Sequence, residues 1–60
     1  MKEKLEQAKK LIEECKNMAV ERAERSEEDS NDLMVWLNYR IELADVEYRL
    51  KDMLTYLPKE

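Results

Sequence analysis

Seven apolar residues, Trp36, Tyr39, Leu43, Val46, Leu50, Met53 and Leu57, follow one another at alternating spacings of three and four. No β-strand gathers such a set on one face, because strand side chains alternate sides with period two. An α-helix does so: at 100° per residue the seven form one seam, the a and d positions of a heptad. The spacing predicts a helix from about residue 30 to 57. Pro58 ends it, because proline disfavours helical geometry in the residue before it.

The same helix carries a second stripe. Met34, Leu37, Ile41, Ala44 and Tyr48 also run at three-four spacing, at the f and b positions. Their mean direction lies roughly 150° from the first seam. Leu33 and Val35 fill the gaps near the start, so the run LMVWL (residues 33–37) is apolar all round. A helix apolar on two faces is a buried helix, and one neighbour covers only one of them. The other face needs a further chain, or stays exposed as a patch of a kind monomers rarely carry.

The natural first neighbour is the segment from about residue 2 to 25. Leu5, Ile12 and Ala19 fall at a, Met1, Ala8 and Cys15 at d, and Leu11 and Met18 at g beside them. That is the stripe width of a bundle helix. Arg22 interrupts it at d, and Val20 is expected on the outer face. Glu6 with Lys10, and Glu21 with Arg25, stand at i,i+4 spacing, where an ion pair contributes ~0.2–0.5 kcal/mol. From Glu24 to Asp32 (ERSEEDSND) the apolar signal stops. Ser26, Asp29, Ser30 and Asn31 are candidate N-caps, and Asp29 and Asp32 suit the positive end of a following helix. The turn is expected at about 26–31. One long bent helix is the alternative, since the chain has no Gly, but the heptad register shifts across the gap and favours a break.

The expected fold is therefore all-α: a two-helix antiparallel hairpin, a single domain over residues 1–60, assembling into a helical bundle as a homo-oligomer. Size supports the assembly. A sixty-residue chain buries only roughly 60% of its unfolded surface and usually needs a staple. One cysteine permits no internal disulfide, and the absence of histidine removes the commonest soft-metal ligand. A partner chain is the staple that remains. In that bundle the core would comprise Leu5, Ile12, Cys15, Ala19, Trp36, Tyr39, Leu43, Val46, Leu50 and Met53. The second stripe, Met34, Leu37, Ile41, Ala44 and Tyr48, would meet a different partner; the reverse assignment of the two stripes is the alternative.

The residue inventory argues against catalysis. There is no His, no Gly-rich phosphate loop and no nucleophile beside a base. The Glu-x-x-His motif of di-iron bundles is absent. Glu21, Glu24 and Glu28 recur at helical spacing as a solvated face does. EEDSND lacks the turn glycine and the bidentate Glu of a calcium loop. Neither cofactor nor metal is expected. Cys15 reads as a packed, inert thiol, since no activating neighbour accompanies it.

Charge narrows the partners. Residues 1–25 hold seven bases and six acids, residues 26–32 four acids and no base, residues 33–60 four bases and five acids, which gives +1, −4 and −1 and the net −4. Nucleic acid is disfavoured, because backbone binding needs a positive footprint. Lys2, Lys9 and Lys16 recur every seven residues and, with Lys10, form a basic strip. Its plain reading is a solvated flank whose methylene stems cover core edges. Its functional reading is a set of phosphate contacts. In size and shape alone such a hairpin is similar to the Rop-like RNA-binding bundles, a likeness that carries no residues over. No apolar run exceeds five residues, so no membrane span is expected. A free cysteine and no apolar leader fit the cytoplasm, and the size fits a bacterial or phage origin. The expected function is a non-enzymatic protein–protein interaction module, an inhibitor, antagonist or adaptor that covers a partner's surface as a homodimer. A nucleic-acid-binding bundle using the Lys strip is the alternative.

Overall fold

A computed structural model of the chain describes residues 1–59. It contains two helices, α1 (Lys2–Arg25) and α2 (Asn31–Thr55), joined by residues 26–30. The described residues contain no strand. The helices run antiparallel. Lys2 shares a cleft with Leu54, Leu57 and Pro58 at one end, and Arg22 lies over Trp36 near the other.

The turn is closed by two serines. Ser26 leaves the helix in extended geometry, its hydroxyl donates to the Arg22 carbonyl at 2.8 Å, and its N–H donates to the Ala23 carbonyl. Two of the last orphan carbonyls of α1 are thereby satisfied. Arg22 and Arg25 in that last turn complement the negative helix end. Ser30 is the N-cap of α2. Its Oγ accepts from the Leu33 N–H at 3.1 Å and donates to the Glu27 carbonyl at 2.7 Å. Between them, Ser30 N–H donates to Glu27 O, and Asp29 adopts φ 60. Positive φ at the third turn residue alone is the type II signature, usually met by Gly or Asn. With no Gly in the chain, a short polar Asp takes that place. α2 stops at Thr55, two residues before the expected Leu57. Tyr56 already leaves helical geometry at φ −105 and ψ 19, ahead of the constraint Pro58 places on Leu57.

Packing between the helices differs from the a/d expectation. Trp36, Leu43 and Leu50, the a residues of α2, do face α1, and Leu57, beyond the helix end, is half-buried. The d residues Tyr39, Val46 and Met53 are exposed, and so is Cys15 at d of α1. The e residues Leu33, Glu47 and Leu54 turn inward in their place, as do Lys9, Lys16 and Ala23 of α1. The cause is that a two-helix pair gives each helix one neighbour, hence one contact arc. Position e lies about 40° from a, whereas d lies about 60° away on the other side. Leu33, Leu54 and Ala23 supply apolar contact on the e side, and Lys16 Nζ meets Glu47 Oε2 there at 2.8 Å. Val20 is half-buried beside Leu33 and Leu37, not on an outer face.

The resulting interior is thin. Among the described residues only Ala19, Ala23 and Leu50 are buried. Ala19 and Ala23, one turn apart, let the helices approach closely where α2 presents Trp36 and Leu37. The chain is a rod of 48 × 14 × 10 Å with a radius of gyration of 14.2 Å. A compact chain of this length would have about 10 Å. The described residues form one pair of helices with no third element, so both broad faces of the hairpin are surface.

Candidate functional site

Two apolar surfaces remain, on opposite flanks of the α1–α2 contact. The broader one is built by both helices. Cys15, Met18, Ala19 and Arg22 of α1 and Trp36, Tyr39, Glu42 and Leu43 of α2 line a groove of about 430 Å³. Every apolar member follows from the a/e packing: with e turned inward, the d and g positions of both helices stand along the same edge. Leu11, Val46 and Met53 extend the surface toward the open end, and all three are exposed.

The groove has an ordered aromatic end. The Trp36 and Tyr39 rings meet edge to face, with centroids 5.7 Å apart and planes at 81°. The Arg22 guanidinium carbon lies 5.8 Å from the Trp36 centroid. That is cation–π range, where the ring face attracts the cation by ~0.5–1 kcal/mol at an exposed site. Arg22, which interrupts the apolar seam in the sequence, thus caps Trp36 and leaves its alkyl stem along the groove.

The narrower surface belongs to α2 alone. Met34, Ile41 and Tyr48 are 59%, 61% and 63% exposed, Ala44 is exposed between them, and Leu37 is half-buried at the base. The five residues assigned to a partner interface from the sequence therefore do share one flank, though Leu37 also packs toward Val20 and Ala23. Of the ten assigned to a bundle core, Ala19 and Leu50 are buried, and Leu5, Ile12, Trp36 and Leu43 are half-buried between the helices. Cys15, Tyr39, Val46 and Met53 lie on the broader outer surface.

The lysine strip is not a uniform ridge. Lys16 pairs with Glu47 across the helices, and Lys9 pairs with Glu13 at 3.2 Å. Lys2 and Lys10 are exposed. Among the described residues the remaining ion pair is Arg49–Asp45; the expected Glu6–Lys10 and Glu21–Arg25 pairs do not form. The described residues contain no group of three His, Cys, Asp or Glu able to hold a metal ion.

Sequence reasoning missed two features. The Arg22–Trp36 stack and the Lys16–Glu47 pair both join residues on different helices. Periodicity within one helix holds no signal for either, because their meeting depends on how the two helices are aligned along each other. No known protein family, curated protein or solved structure matches this chain. Among the described residues no helix is long and apolar enough to cross a membrane.

Proposed function

We propose that this chain is a non-enzymatic protein–protein interaction module, an inhibitor, antagonist or adaptor, which works as a homodimer in the cytoplasm by covering an apolar surface of another protein. The observation that carries the reading is the pair of exposed apolar flanks on a single pair of helices. Aromatic and Met side chains are enriched in interface cores, and both flanks are rich in them. One flank pairs chains; the stripe of Met34, Ile41 and Tyr48 meets the other protein. A nucleic-acid role draws less support, since Lys9 and Lys16 are already matched by carboxylates.

Ile41→Asp tests this. Ile41 is 61% exposed. The variant should keep its helicity by circular dichroism and lose a protein that the wild type retains from a lysate of its source. Identical retention by both forms would count against the reading. Retention of nucleic acid instead, falling steeply between 50 and 200 mM salt, would support the alternative.

A further inference from the structure

We infer that the broader flank, carrying Leu11, Cys15, Met18, Tyr39, Val46 and Met53, is covered by the same flank of a second copy, with the two turns at opposite ends of a four-helix bundle. This rests on the interaction reading above and assigns one of its two surfaces.

Area argues for a second copy. The chain exposes 5317 Å². A compact monomer of its size exposes about 4,200 Å². The excess, about 1,100 Å², is above the roughly 800 Å² that each partner buries in a standard interface. The flank also has the shape for it. It is built by both helices and runs from Met18 and Tyr39 near the turn to Met53 near the open end. An identical flat, two-helix face covers that length. A single helix laid in the groove would cover only part of it.

Charge sets the direction. The turn together with the start of α2, residues 26–32, holds Glu27, Glu28, Asp29 and Asp32 with no base, so −4. In sequence, the two ends of the chain, residues 1–5 and 56–60, hold Lys2, Lys4 and Lys59 against Glu3 and Glu60, so +1. These ends are 48 Å apart on one chain. Turns at the same end would set two −4 segments side by side. Turns at opposite ends set each −4 segment beside a +1 segment, twice over.

Light scattering after size exclusion, over a concentration series, reads the first part. Wild type and Ile41→Asp should have twice the chain mass. Val46→Asp and Met18→Asp, one on each helix, should fall toward the single-chain mass. Loss of helicity in those two along with mass counts the same way so long as Ile41→Asp keeps both. Wild type at single-chain mass throughout, or a dimer that only Ile41→Asp dissociates, overturns the assignment. Direction is read by spin labels on Glu28→Cys in a Cys15→Ser background. The expected label separation is close to the 48 Å rod length. A separation under about 25 Å, two helix diameters, overturns the opposed arrangement. A monomer that still loses a captured protein on Ile41→Asp sinks the pairing alone. A dimer whose capture ignores Ile41→Asp sinks the interaction reading alone.

Discussion

Ser30 holds more of this fold than its size suggests. One hydroxyl both accepts the Leu33 N–H and donates to the Glu27 carbonyl, so it ties the first turn of α2 to the turn that precedes it. The neighbouring Asp29 sits at positive φ, which costs a non-glycine residue energy, so the connection is held against its own preference. Ser30→Ala removes the cap and one of the two hydrogen bonds to the Glu27 carbonyl, which keeps the backbone N–H of residue 30. The expected loss is about 1–2 kcal/mol, the upper part of the range for a lost N-cap. Urea midpoints at one fixed protein concentration give it directly, and Ser30→Asp should recover most of the acceptor function. A Ser30→Ala midpoint equal to wild type would mean the cap contributes nothing. Ser30 was one of four candidate caps in the sequence. The choice among them is made by Ser26, which turns back onto α1, and by the extended geometry of Ser30 itself.

Between the two helices, Leu50 is, among the described residues, the only large side chain that is buried, and its neighbours on the seam are only half covered. Leu50→Ala should therefore cost about 2–5 kcal/mol, the usual range for a buried leucine. A sixty-residue chain has a total of about 3–9 kcal/mol at ordinary stability per residue, so this one change takes a large share of it. Leu43→Ala, at a half-buried site lining the groove, should cost less in the separated chain, and denaturation in a dilution series compares the two. If Leu43→Ala were the costlier when dilute, Leu43 and not Leu50 would anchor the contact. That both segments are helical, and that they break near residue 26, could be read from spacing because each helix repeats its signal over many turns. The rotation of α2 could not. Its a, d, e, b and f positions all offer apolar side chains, so several arcs could have faced α1. What selects a with e is the company across the interface: Ala19 and Ala23 allow close approach, and Lys16 meets Glu47. That information lies in the pairing of two segments. For the same reason the two outer flanks were legible as surplus apolar surface, while the joining of Met18 with Tyr39 on one of them was not.

At the scale of the whole molecule, the apolar flanks favour association whichever way the second chain points, so electrostatics is left to decide direction. Unit charges 15 Å apart in water interact by about 0.3 kcal/mol before screening. A −4 turn beside a +1 end amounts to four net attractive pairings, about 1 kcal/mol per end of an opposed dimer, against about 4–5 kcal/mol of repulsion where two −4 turns adjoin. Screening at 0.1 M salt, with a Debye length of about 10 Å, cuts these terms several-fold. The difference that survives is on the order of 1 kcal/mol, small beside the hydrophobic term yet enough to set a preference. It also has a sign that can be measured. In the opposed arrangement the ends attract, so raising sodium chloride from 20 to 200 mM should weaken dimerisation by several-fold in Kd. In the arrangement with turns together the ends repel, and the same change should tighten it. Sedimentation equilibrium across that range reads the sign. Neutralising the turn by Glu27→Gln with Glu28→Gln should flatten the dependence in the opposed dimer, because the attraction it screens is then halved. A dimer that tightens with salt, and tightens at low salt when those two glutamates are replaced, would have its turns side by side.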